Sequence, residues 1–246
     1  MTSTALLPLL GLVVTMVMGA VAQRTTGMGF ALLIAPFLVL ALGPVEGILV
    51  TNVFGVLSSC ANLALMWRDV DWPRAAVLAP MGLVGVLPGA LAVRLLPPAP
   101  LAVAVSALIL LALVATLLLR GRTLPRSRAL AAGGGFASGF LNVTSGAGGP
   151  GLVVYARATG WPHHLFAATA QLQFIVLGAA SLAAKWALPS LSGLEWAVML
   201  GALAAGIGIG SWLAPKVQPD DGMRIVMALA LVGALLALGR GLLQLL

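Results

Sequence analysis

The sequence predicts an all-α polytopic membrane protein, built as two inverted-topology repeats of about five membrane segments each, with broken or short helices meeting near the bilayer midplane. Three observations lead there. First, the 246 residues carry only 13 Lys+Arg and 6 Asp+Glu, against 61% hydrophobic residues and a mean hydropathy of +1.12, whereas a soluble domain keeps roughly a quarter of its residues charged. Second, apolar runs repeatedly reach the length of about 20 residues that spans hydrocarbon. Third, the second half of the chain repeats the first at a constant offset of 119 residues. A β-barrel would read as alternating segments of about ten residues, and LAVAVSALILLALVATLLL (101–119) has no alternation.

Apolar runs set against breakers give ten segments, at 4–23, 28–42, 45–67, 73–94, 99–119, 129–143, 149–159, 164–186, 191–215 and 222–245. The first lacks the basic flank of a cleaved signal and runs straight into more apolar sequence, so it reads as a helix of the mature protein. The second and seventh are short. At 1.5 Å per residue they cover about 16 to 22 Å, less than a roughly 30 Å hydrocarbon core. The third and eighth carry the repeat most visibly, with ANLALMW (61–67) facing ASLAAKW (180–186). At the same offset Thr26, Gly27 and Gly29 fall on Ser145, Gly146 and Gly148, and Asn52 falls on Gln171. In the fourth and ninth, Gly82, Gly85 and Gly89, and Gly201, Gly206, Gly208 and Gly210, read as close helix packing. The resulting organisation is a first repeat at 1–119, a basic linker at 120–128 and a second repeat at 129–246. Duplicated halves of this kind are a common construction in secondary transporters.

The net charge of +7 and pI near 11.4 reflect loops between spans and not a nucleic-acid face, since no basic surface with interleaved aromatics is present. Lys and Arg are retained in cytoplasmic loops. Placing the linker, with Arg120, Arg122, Arg126 and Arg128, in the cytoplasm puts Arg68, Arg74, Arg157, Lys216 and Arg224 there too, against Arg94, Lys185 and Arg240 outside. Both termini then face out. The loop after Trp67 is basic while its counterpart after Trp186 has no Lys or Arg, and five segments per half is odd, so both features place equivalent loops on opposite sides. The six tryptophans fall near segment ends, as an interfacial belt would place them. The single Cys60 excludes an intramolecular disulfide and reads as a small buried hydrophobe.

Two polar stretches interrupt the apolar sequence at equivalent positions: Gln23, Arg24, Thr25, Thr26, Gly27 and Gly29, and then Asn142, Thr144, Ser145, Gly146, Gly148 and Gly149. Glycine permits positive φ, Pro150 suits a first helical turn, and Thr, Ser and Asn are suited to cap the short helix that follows. A helix N-terminus so formed attracts anions without a basic side chain, and irregular backbone is tolerated in a membrane only against protein or water. The alternative is that these glycines only let two helices cross closely; it accounts less well for the added hydroxyls and amides. Arg24 either snorkels to the surface or points its guanidinium at an anion. Asn52, Gln171 and Gln173 are costly in apolar spans unless paired, and serve as site lining or as interhelical hydrogen bonds. His163 and His164 beside Pro162 suit an interfacial loop, with no company for a metal.

At these glycine stretches the sequence resembles the TauE/SafE family of sulfite and organosulfonate exporters, whose repeated pattern looks like GxGGGxxxxP followed some fifteen residues later by an AxGTS-like segment. The first copy here is GMGFALLIAP (27–36) with LVTN (49–52), and the second is GAGGPGLVVY (146–155) with AATAQ (167–171). It departs from the pattern at Phe30, Ala31, Pro150, Tyr155 and Gln171. The resemblance implies an inner (plasma) membrane, multi-pass exporter of a small sulfur-containing anion such as sulfite, sulfoacetate or a related organosulfonate. Uptake by the same site is the second transport reading. A membrane enzyme or assembly subunit is the alternative of another class, and neither a catalytic cluster nor a large polar loop favours it. The expected partners are the anionic substrate, the lipid bilayer and, as a further candidate, a second copy of the chain, with no cofactor, metal or nucleic acid. No Asp or Glu lies mid-span, so coupling through a buried carboxylate has no support in the sequence.

Overall fold

The computed structural model describes residues 3–97, 124–217 and 219–243, with scattered residues between 99 and 114. The described residues form α1 (Ser3–Thr26), α2 (Gly29–Leu42), α3 (Pro44–Met66), α4 (Trp72–Leu95), α5 (Arg128–Ser145), α6 (Gly149–Ala158), α7 (His163–Lys185), α8 (Gly193–Leu213) and α9 (Pro219–Leu243). Short 3-10 turns follow α3 at Trp67–Asp69 and α8 at Ala214–Lys216. No strand occurs among the described residues. About half of the expected fifth segment and residues 120–123 of the linker lie outside them. Among the described residues, four helices are long and apolar enough to cross a membrane: Val45–Asp69, Trp72–Leu95, His163–Lys185 and Gly193–Lys216.

Local chemistry sets the helix ends. Pro44 and Pro150 lie in the first turns of α3 and α6, where a missing N–H costs nothing. Asp71 caps α4 by accepting from the Arg74 amide, and Ser127 caps α5 by accepting from Leu130. Ser192 and Glu195 form a reciprocal capping box at the start of α8. α1 and α5 stop at Thr26 and Ser145 because Gly27 and Gly146 turn to positive φ, +80° and +76°. α3 and α7 begin and end 119 residues apart, at 44 and 163 and at 66 and 185.

The packing is reciprocal. α5 lies on α4 and α1 lies on α8. Glycine lets these backbones touch: a Cβ on Gly85 would strike the Phe136 backbone, one on Gly139 the Gly82 carbonyl, and one on Gly206 the Val17 carbonyl. Gly82, Gly85, Gly89, Gly206 and Gly210 are therefore packing glycines, whereas Gly201 and Gly208 face open space and are not. At the 119-residue offset Gly201 and Gly208 correspond to Gly82 and Gly89, but on α8 the contact stripe runs through Gly206 and Gly210 instead. α3 and α7 run antiparallel at the centre, with Gly178 against Asn52 and Val56, and with Gln23 tying Ser59 to Gln171.

Two surface expectations are corrected. Cys60 is exposed on α3 and not buried. Trp67, Trp72, Trp186 and Trp212 are exposed as a belt requires, but Trp161 is buried between Tyr155 and Phe166, and Trp196 stacks on Phe54. Proximity to a helix end does not separate a side chain facing lipid from one turned inward.

Candidate functional site

The helix breaks at 26–29 and 145–149 have one architecture. In the first, Thr26 Oγ1 donates to the Ala22 carbonyl at 2.7 Å and accepts weakly from the Met28 amide at 3.4 Å, while the Gly27 amide donates to the Gln23 carbonyl at 2.7 Å. In the second, Ser145 Oγ donates to the Leu141 carbonyl at 2.7 Å and accepts from the Ala147 amide at 3.3 Å, while the Gly146 amide donates to Asn142 at 2.8 Å. Thr144 also bonds back, to the Phe140 carbonyl at 2.7 Å, and Thr25 to the Val21 carbonyl at 2.9 Å. These hydroxyls secure the ends of α1 and α5. They do not cap the short helices that follow, as the sequence led us to expect: neither α2 nor α6 has a side-chain cap. The reason is geometric, since a hydroxyl in the last turn already lies within reach of the carbonyl four residues back.

The breaks meet α3 and α7 around a cavity of about 20 Å³, room for a water by the measure in which one needs about 10–15 Å³. Its wall includes Gln23, Asn52, Asn142, Gly146, Gly148 and Gly149 of the residues singled out from the sequence. Thr51, Ser59, Met28, Phe30 and Phe174 are also among its lining, and the sequence reading missed them. Helical spacing could have supplied Ser59, seven residues after Asn52 and so on the same face. Thr26, Gly27, Gly29, Thr144, Ser145 and Gln171 lie in or beside the breaks without facing the cavity, and Thr25 is turned back on its own helix. Gln173 donates to the Leu78 carbonyl of α4 at 3.0 Å. Arg24 donates from Nε to Ser211 of α8 at 3.0 Å and does not line the cavity.

The polar wall is unequal in its two halves. Gln23 donates from Nε2 to Gln171 Oε1 at 2.7 Å and to Ser59 Oγ at 2.9 Å. Gln171 in turn donates to the Gly27 carbonyl at 2.6 Å and to Ala167 at 3.2 Å. This amide clasp closes one half. At the 119-residue offset its counterparts are Asn142 and Asn52, each one methylene shorter. They do not close. Asn52 Nδ2 and Asn142 Oδ1 are both buried without a hydrogen-bond partner, as is Ser138 Oγ next to Asn142 and Gly148. Asn52 is 3% exposed, and a buried amide without a partner costs about 1–3 kcal/mol. The open half thus offers a donor from Asn52, either end of the Asn142 amide after a flip, and the uncapped N-terminus of α6.

A protein-family model described as Sulfite exporter TauE/SafE matches residues 10–238. The chain belongs to the TauE/SafE sulfite exporter family. No curated protein and no solved structure matches it. TauE/SafE membership makes the chain a membrane transporter of the sulfite-export class and not a member of an enzyme family, and it agrees with the apolar helices described above. No group of His, Cys, Asp or Glu suited to a metal ion occurs among the described residues.

Proposed function

We propose that this TauE/SafE protein is a multi-pass inner-membrane exporter that carries a small sulfur-containing anion, such as sulfite, sulfoacetate or a related organosulfonate, through the cavity between the two helix breaks. The observation that carries the reading is Asn52: a buried amide donor without a partner, facing a cavity that the α6 N-terminus also lines. A helix N-terminus and an amide N–H both prefer negative charge and need no basic side chain. A site of that kind holds an anion loosely enough to release it.

The same reading takes the chain as two inverted repeats, 1–119 and 129–246, joined by the basic linker. Reciprocal packing of α1 on α8 and of α5 on α4 supports it, as do the matched bounds of α3 and α7. So do the contact of 52 with 178 and the Gln23 bridge between 59 and 171, pairs that exchange under the offset. Asn52 and Gln171 each lie eight residues past the start of their antiparallel helices, about 12 Å along. In a core of about 30 Å that depth is near the middle. The cavity is too small for the substrate as it stands, so transport requires the halves to move apart, as rocking of repeats would do. Export needs no coupling ion, because about 2.3 kcal/mol per charge per 100 mV drives an anion out of a negative interior.

The test is sulfite and sulfonate flux from purified protein in liposomes, with an imposed membrane potential and no proton or sodium gradient. Flux that follows the potential is the expected result. Flux that appears only with a gradient would replace uncoupled export by coupled transport, and no flux of any sulfur anion would sink the substrate assignment.

A further inference from the structure

The start of α4 holds a second set of buried donors without partners. Arg74 is 7% exposed, its Nε lies 3.5 Å from Asp71 Oδ2, and its guanidinium carbon sits 4.3 Å from the Trp161 ring centroid and 5.8 Å from that of Tyr155. Neither Nη1 nor Nη2 of Arg74 has a hydrogen-bond partner, and neither does Nε1 of the equally buried Trp161. Asp71 pairs with the Nε edge of this fork at 3.5 Å and also caps α4, so both Nη nitrogens are left without an acceptor. Both Nη nitrogens are thus buried donors without an acceptor, as is the indole N–H of the ring that backs them.

A buried cation left with so little compensation is costly. A planar fork stacked on an aromatic ring is matched in shape by two oxygens of a small oxyanion. We propose that Arg74 and Trp161 form an oxyanion-binding site at the start of α4, distinct from the central cavity. None of Arg74, Trp161 or Tyr155 lines that cavity. α6 links the two places, contributing Gly149 to the cavity wall and Tyr155 to the Arg74 cluster, six residues or about 9 Å along the helix. The ligand class is a small oxyanion, whether the transported sulfur anion, inorganic phosphate or the phosphate of a lipid headgroup.

The experiment reads binding and stability, not flux, so its outcome is separable from that of the transport reading. Full-length protein in detergent is titrated calorimetrically with sulfite, with inorganic phosphate and with short-chain phosphatidylglycerol, in the natural chain and in an Asn52→Ala background that disables the cavity. Arg74→Lys keeps the charge but loses the planar fork, and is expected to weaken binding about tenfold, with folding checked by its unfolding temperature without anion. Trp161→Phe keeps the ring and loses the N–H, and should weaken binding by a smaller factor. Arg74-dependent binding of sulfite or phosphate assigns a free anion, and Arg74-dependent binding of phosphatidylglycerol alone assigns a headgroup. Binding that neither substitution alters, or no saturable binding of any of the three, overturns the proposal.

Discussion

Asn52 and Gln171 occupy matched positions in the two halves, yet their removal should affect stability in opposite directions. Gln171→Met keeps the length of the side chain and strips its hydrogen bonds. The bond to Ala167 matters least, since that carbonyl is already served within α7. The loss falls on the Gly27 carbonyl, bonded at 2.6 Å, and on Gln23, which keeps only Ser59. A buried group left unpaired costs about 1–3 kcal/mol and a typical bond contributes about 1 net, which gives about 2–4 kcal/mol. Side-chain bonds between helices in bilayers average nearer 0.6 kcal/mol, but the unfolded chain in those measurements finds other partners. A carbonyl fixed at a positive-φ turn does not. Asn52→Ala has no bond from Nδ2 to lose. Relief of the unpaired amide and loss of a few van der Waals contacts nearly offset, leaving a change between about 0 and 1 kcal/mol in favour of the variant. Both are measured by reversible unfolding in mixed micelles, alongside sulfite flux in liposomes. Asn52→Ala should be stable and inactive. If it unfolds as readily as Gln171→Met, or transports normally, the idea that the open half binds substrate is wrong.

Three further outcomes are expected. Gly85→Ala, whose Cβ would meet the Phe136 backbone, should cost about 1–3 kcal/mol by overpacking, whereas Gly201→Ala, which meets nothing, should be neutral or stabilise by up to about 1 kcal/mol; thermal unfolding in detergent separates them. Arg24→Lys should leave the transport KM unchanged, because Arg24 is held by Ser211 away from the cavity wall, and a raised KM would bring it back to the substrate. Ser192→Ala removes the capping box of α8 and should lower stability by about 1 kcal/mol, read from the same unfolding curves, with flux unaffected.

The helices were legible because each is bounded by chemistry visible in one dimension. Proline at 44 and 150, glycine at 27, 43 and 146, and the Ser192 and Glu195 pair mark ends that the structure places within a few residues of expectation. The 119-residue offset was legible for the same reason, and the matched bonding at Thr26 and Ser145 follows it. What one dimension does not carry is rotation about a helix axis. Arg24 follows Gln23 directly, and a step of about 100° turns one toward α8 and the other into the cavity. The same step separates Thr51 and Asn52, both at the wall, from Val53, which is not. Arg74 looked like an ordinary loop cation from sequence, and only the folding of the Trp161 loop over it makes it buried.

The difference between the amides at positions matched by the 119-residue offset is itself informative. Two equal halves with Gln at all four amide positions would close two clasps and leave no polar opening. Two halves with Asn at all four would leave four unpaired amides in a low-dielectric interior, at a cost of several kcal/mol. The chain has Gln23 with Gln171 on one side and Asn52 with Asn142 on the other. One pair holds α1 against α7, and the other leaves a gap where α3 meets the break before α6. The unpaired amides are costly in the empty state and are relieved when an acceptor arrives. On the function proposed above, a site whose own groups are unsatisfied would bind by completing them and release the anion once water reached the same groups, which is the behaviour an alternating exporter needs.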